Sequence, residues 1–211
     1  MKLAILGASR GTGAEVVKAA LARGHEVTAF ARTPETLAVS HPKLIKLPGD
    51  FHRAESVGGA VRGQDAVVIT ASSTSLKGFR ENPRYFSKGT EYAIAAMKAQ
   101  GVSRLVVLSA LGVGESRRLA NFLLEKLVIS FLLKLPFEDH ERQEALVRAS
   151  GLDWVIVRPG RLTDGPARKH YVTKTAVEPV PSSISRADLA DFLVTAAEAD
   201  TWVGHAVQIG G

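Results

Sequence analysis

The sequence predicts an α/β fold: a doubly wound, mostly parallel sheet in a single domain. Three observations predict it. Short apolar runs alternate with segments of helical periodicity. The runs are mostly continuous rather than polar-alternating, as strands covered on both faces must be. A glycine-rich turn joins the first run to the first helix. Strands are expected at Lys2–Leu6, Glu26–Phe30, Leu44–Leu47, Ala66–Thr70, Leu105–Leu108 and Trp154–Val157. Helices are expected over Thr12–Arg23, Arg84–Gln100 and Asp139–Ser150. They are followed by Gly24, Gly101 and Gly151, where a left-handed residue closes a helix at little cost. Ser185-Arg-Ala-Asp188 reads as a capping box with Asp in place of Glu, opening a helix to about Ala197.

The 211 residues suffice for one large core and are few for two, so residues 1–211 are expected to form one domain. Apolar residues make up 45% and charged residues 23%, an ordinary globular balance. With no cysteine, the chain has no disulfide, thiolate nucleophile or Cys-based metal site. Its six histidines lack ligand spacing, so no metal site is expected. The first apolar run is too short for a secretory signal and no stretch is long enough to span a bilayer, which predicts a cytoplasmic protein. The net charge of +6 is spread along the chain with few interleaved aromatics. That pattern favours a phosphate-rich small ligand over nucleic acid.

Gly7-Ala-Ser9-Arg10-Gly11-Thr12-Gly13 lies between the first strand and the first helix. Gly7 permits a sharp turn, Gly11 lets backbone approach a pyrophosphate, and Gly13 lets helix and strand pack closely. The helix N-terminus adds free N–H groups and a positive dipole end. This is the dinucleotide-binding pattern of the Rossmann type in its required context. About 20 residues on, a carboxylate would favour NAD; the second strand instead runs into Ala31-Arg32-Thr33. Arg32, with Arg10 from the loop, is suited to a 2′-phosphate and predicts NADP(H). Asp50, followed by Phe51, is placed after the third strand to accept from the adenine amino group. Ala71, Ser72 and Ser73 are small enough to let a cofactor cross the strand ends.

Residues at about 115–137 form an apolar insertion. Within it Leu119–Phe137 is apolar around most of its circumference and requires a cover. Three readings stay open: core packing or a homo-oligomer interface, a wall over an apolar substrate pocket with Phe122, Phe131 and Phe137, and shallow membrane contact.

Typical short-chain dehydrogenases use a Tyr-x-x-x-Lys acid. The three tyrosines here, Tyr85, Tyr92 and Tyr171, have no lysine four places on. Alcohol oxidation through a tyrosinate is therefore not expected; a hydride acceptor that takes its proton from water or a weak donor is. Ser109, ending the fifth strand, is a candidate hydrogen-bond donor to cofactor or substrate, with a turn serine as the alternative. His140 beside Asp139 is a candidate proton donor, with a solvated helix-start histidine as the alternative.

Several of these pieces together resemble the atypical short-chain dehydrogenase/reductases of the NmrA-like NAD(P)-binding group, nearest to the biliverdin-IXβ reductase/flavin reductase type. They are Gly7–Gly13, Ala31-Arg32, Gly49-Asp50, Gly63-Gln-Asp-Ala66, Ala95-Ala-Met-Lys98, Ser109-Ala110, Asp139-His140, Ser150-Gly-Leu152 and Ile184–Leu189. The resemblance implies that Pro159 lies beside the nicotinamide and His140 near the substrate. It also implies an NADPH-dependent reductase of a small aromatic or conjugated acceptor: a flavin, a linear tetrapyrrole or a quinone. The alternative it implies is a non-catalytic NADP(H)-binding sensor. The chain departs from the group at Arg10, where glycine is usual, at Thr36, where a second basic residue is common, and at Gly160, where the flavin reductases have histidine.

Overall fold

The computed structural model describes residues 1–72, 81–119 and 134–211. In chain order its elements are β1 (Lys2–Leu6), α1 (Gly11–Ala22), β2 (Glu26–Ala31), β3 (Leu44–Pro48), α2 (Ala54–Val61), β4 (Ala66–Ile69), α3 (Tyr85–Gln100), β5 (Arg104–Leu108), α4 (Lys134–Arg148), β6 (Asp153–Pro159), β7 (Arg161–Thr163), β8 (Val172–Lys174), β9 (Ser183–Ser185), α5 (Arg186–Glu198) and β10 (His205–Gly210). Among the described residues the main sheet has the order β3-β2-β1-β4-β5-β6-β10-β8, and β7 pairs with β9 in a separate ribbon. All pairs of the main sheet are parallel except β10 with β8. The order reverses between β1 and β4, and in such sheets ligands bind outside the strand ends at that reversal. The expected doubly wound α/β class is the observed one.

Successive strand residues point to opposite faces, so a run such as Leu3-Ala4-Ile5-Leu6 feeds two cores. Leu3 and Ile5 join Val16, Val17, Leu189 and Leu193 from α1 and α5 on one face. Ala4 and Leu6 join Val57, Ala93, Met97 and Val147 from α2, α3 and α4 on the other. Helices on both faces explain why most strands read as unbroken apolar runs. The N-cap half of the expected capping box forms: the Asp188 amide donates to Ser185 Oγ at 3.0 Å, opening α5, while the Asp188 carboxylate accepts from Ser185 Oγ and from the Arg168 and Lys169 amides.

Five of these elements escaped the sequence reading: the short strands β7, β8 and β9, and the two longer elements β10 and α2. β10 carries the fully buried Gln208, whose amide bonds internally to Ala206 O at 3.2 Å and accepts from the Glu178 amide at 3.3 Å. That polar residue interrupts the apolar run that would have revealed the strand. α2 contains Gly58 and Gly59, each costing roughly 1 kcal/mol of helix propensity. The described part of helix α4 starts at Lys134, ahead of the expected Asp139, and contains Pro136. Of the apolar segment Leu119–Phe137, residues 120–133, including Phe122 and Phe131, lie outside the described residues. Its C-terminal end, Lys134–Phe137, belongs to α4.

The carboxyl ends of β5 and β6 are tied to α4 by buried charge. Arg158 on β6 is fully buried; its Nε donates to Glu144 Oε1 at 2.9 Å and its Nη2 to Glu144 Oε2 at 2.5 Å and Glu115 Oε2 at 3.0 Å. Burial opposes the guanidinium charge, but the hydrogen bonds to Glu144 and Glu115 outweigh it and hold its pKa above the usual value. The Arg158 hydrogen bond pulls the Glu115 carboxyl down from 4.5 to about 2.

Removing one member of a buried pair leaves an uncompensated charge. Glu144→Ala is expected to cost about 3–5 kcal/mol in a urea titration, well beyond a typical surface substitution. The lowered Glu115 pKa stabilises the fold above pH 4.5, and that contribution is lost as pH falls towards about 2. Because the Glu115 side chain is 52% exposed, solvent screens the effect. Melting curves of Glu115→Gln should therefore fall slightly less steeply than those of the parent across that window.

Candidate functional site

At the reversal between β1 and β4 the turn after β1 meets the end of β4 so closely that side chains are excluded. Gly7 has φ +99°, and a Cβ there would fall on the Ala71 backbone. A Cβ on Gly13 would fall on the Gly7 carbonyl and on Thr70 Oγ1. Thr70 Oγ1 donates to the Leu6 and Gly7 carbonyls at 3.3 and 3.4 Å, closing the gap from the β4 side. Helix α1 thus starts directly over the strand ends. Its N-cap, Arg10, makes no side-chain cap bond and its first turn holds no acid. The amides of Gly11, Thr12 and Gly13 have no acceptor among the described residues. Free N–H groups and an uncompensated dipole end together form an anion site.

This turn borders a cavity of about 370 Å³. Gly7, Ser9, Arg10, Gly11 and Thr12 line it from the turn, Arg32 and Thr33 from the end of β2, Asp50 and Phe51 from the end of β3, and Ala71 and Ser72 from the end of β4. Those eleven cofactor positions from the sequence are thereby brought together, whereas Gly13 packs beneath the turn rather than on the cavity surface. Ser73 lies outside the described residues. Arg10 and Arg32 are exposed and neither has an ion-pair partner among the described residues. Asp50 Oδ1 accepts from the His52 amide at 2.9 Å, which orients its carboxylate. Phe51 is seated against Gly89 of α3, where any Cβ would strike its ring.

The cavity also contains residues that sequence reasoning missed. His52 and Tyr85 meet edge-on with ring centroids 4.6 Å apart, and His52 Nε2 donates to the Tyr85 carbonyl at 2.9 Å. Burial raises the Tyr85 pKa. Leu108 and Leu162 add an apolar stretch, and Arg186 reaches in from the start of α5. None of these carries a local motif. His52 directly follows Phe51 after β3, and the others arrive from α3, β5, β7 and α5 through the topology.

Three further predicted residues do not line the cavity. Ser109 is buried behind Leu108 at the end of β5, and its Oγ donates to Glu144 Oε1 at 2.7 Å. Since Glu144 is ion-paired with Arg158, the hydroxyl must be the donor in that bond. Pro159 ends β6, pairs with Ile209 of β10 and is buried. His140 stacks on Phe86 at 3.8 Å, and its Nδ1 meets Gln143 Oε1 at 2.8 Å. Burial lowers its pKa. Its neighbour Asp139, fully buried, caps α3 by accepting from the Phe86 amide at 2.6 Å and from Ser87 Oγ at 2.5 Å.

Comparison with known proteins places the chain in a family and a fold. A 3-beta-hydroxysteroid dehydrogenase of Mycolicibacterium neoaurum is 36% identical over 115 residues, which is 50% of this chain and 31% of that protein. The chain therefore matches less than a third of that relative's length. A short-chain dehydrogenase/reductase from Veillonella parvula, solved in complex with NADP, shares the fold with a TM-score of 0.83 and 17% identity, covering 100% of this chain and 94% of that one. An anaerobillin reductase from Escherichia coli shares it with a TM-score of 0.79 and 22% identity, covering 99% and 96%. No helix among the described residues is long and apolar enough to cross a membrane. Residues 7–200, from the first glycine of the turn to the end of α5 and beyond, match the NAD(P)H-binding protein family, and the chain belongs to that family.

Proposed function

We propose that this protein is an NADPH-dependent reductase that passes hydride to a planar conjugated acceptor such as a flavin, a linear tetrapyrrole or a quinone. The observation that carries the cofactor choice is the pair of cavity-lining guanidinium groups, Arg10 and Arg32, without a competing carboxylate partner among the described residues. A 2′-phosphate accepts paired, charge-assisted bonds from such forked donors, while a ribose hydroxyl, being neutral, accepts only a weaker one. The turn amides at the start of α1 hold the pyrophosphate, Asp50 with its remaining oxygen accepts from the adenine amino group, and Phe51 flanks the ring. When bound, the reduced nicotinamide supplies the hydride.

The acceptor class follows from the side chains that are available to give a proton. The Ser109 hydrogen is engaged with Glu144. Burial lowers the His140 pKa, which works against a cationic acid there. Tyr85 faces the cavity but burial raises its pKa. An acceptor whose reduced form takes its proton from water suits this set, and Tyr85, Leu108 and Leu162 offer an apolar and aromatic surface against which a flat ring packs. The fold likeness to an anaerobillin reductase supports a reductase reading. The engagement of Ser109 also favours a second reading, a dinucleotide sensor without turnover.

Turnover separates the two. NADPH oxidation with FMN, riboflavin or biliverdin is expected for the reductase, and binding of NADPH with no acceptor reduced would establish the sensor. Arg32→Asp should weaken NADPH binding by about ten- to a hundredfold, from the roughly 1.5–3 kcal/mol of one charge-assisted hydrogen bond, and leave NADH nearly unchanged. Equal losses for both nucleotides in a fluorescence titration would refute the 2′-phosphate assignment. Ser109→Ala should slow turnover less than tenfold without changing NADPH affinity, because the hydroxyl supports Glu144 rather than the reacting atoms.

A further inference from the structure

Arg186 is the first residue of α5 and comes from the opposite end of the chain to the glycine turn, yet it lines the same cavity. Its Nε lies 3.7 Å from where a Cβ on Gly11 would stand, so the guanidinium stem crosses the start of α1. We propose that Arg186 is a third cofactor-binding cation, contacting the pyrophosphate, and that Asp164 holds it in place until the nucleotide arrives. Arg186 plays this part only if the cavity is the NAD(P)H site, the reading given above.

The surroundings favour a phosphate contact. Arg186 Nη1 donates to Asp164 Oδ1 at 2.6 Å, leaving the other donors of the fork available. The Asp164 side chain is 93% exposed, and a pair so open to water is worth about 0–1 kcal/mol. A pyrophosphate held by α1 amides outcompetes it, since it accepts two parallel bonds from one guanidinium. Asp188 Oδ1 accepts from the Arg168 and Lys169 amides at 2.8 and 2.7 Å, fastening the segment after Asp164 to α5. Gly11, with φ +54° and no side chain, keeps the turn backbone within a methyl's width of the Arg186 stem, so an anion seated on the turn amides lies within reach of the guanidinium. Arg32 reads what distinguishes NADPH from NADH. Arg186 sits at the part the two share.

Calorimetric titration of the full chain with NADPH, NADH and adenosine 2′-monophosphate tests this. The last probe carries the 2′-phosphate but no pyrophosphate. Arg186→Ala is expected to weaken NADPH and NADH by the same factor, about tenfold or more, and to leave adenosine 2′-monophosphate unchanged. Asp164→Asn, which releases the guanidinium and removes a nearby negative charge, is expected to tighten both dinucleotides a few-fold. Unchanged dinucleotide binding by a folded Arg186→Ala protein overturns the inference, as does an equal loss for adenosine 2′-monophosphate or weaker dinucleotide binding by Asp164→Asn. Failure of the parent protein to bind either dinucleotide is a different result, which overturns the cavity assignment itself and the role of Arg186 with it.

Discussion

The structure depends on one close approach: the β1–α1 turn pressed against the end of β4, with no room for a Cβ at Gly7 or Gly13. Strand order reverses there, and such a reversal opens a crevice outside the two strand ends. Because the turn is pinned by backbone on one side and by Thr70 on the other, α1 can start at only one height and angle over the sheet. Its unpartnered amides then face the cavity. The binding property is thus a by-product of packing: the residues that let helix and strands approach also expose the donors that an anion needs.

The remaining walls are brought to that point by rigid elements. Arg32 and Asp50 sit just beyond the ends of β2 and β3, next to each other because those strands pair in parallel with Ala31 opposite Pro48. Phe51 reaches its place because α3 offers Gly89. On the far side, the Ser109–Glu144–Arg158–Glu115 network secures the ends of β5 and β6 to α4. It consumes the hydroxyl that would otherwise be a natural donor at that strand end. In this structure the Ser109 hydroxyl is part of the tie between strand end and helix.

Legibility in the sequence followed the range of the interaction. Strands covered on both faces, such as Leu3–Leu6 and Val67–Ile69, are local apolar runs and were readable. So were the glycine turn, the missing carboxylate near Arg32 and the cap formed by Ser185 and Asp188. β10 was hidden because its buried Gln208 satisfies itself through Ala206 and Glu178, contacts no local pattern reports. Ser109 was visible as a strand-end serine, but its partner Glu144 lies 35 residues on. Arg186 was visible only as part of a capping segment. Its place over Gly11 arises from α5 lying beside α1 on one face of the sheet, a fact of topology rather than of motif.

The most direct measurement of the central claim, that this cavity is built for a phosphorylated dinucleotide, is the structure of the protein with NADP⁺ bound. The account predicts the pyrophosphate on the Gly11–Gly13 amides and the 2′-phosphate between the guanidinium groups of Arg10 and Arg32. A 2′-phosphate directed away from both arginines, or a nucleotide bound outside the β1–β4 reversal, would contradict it.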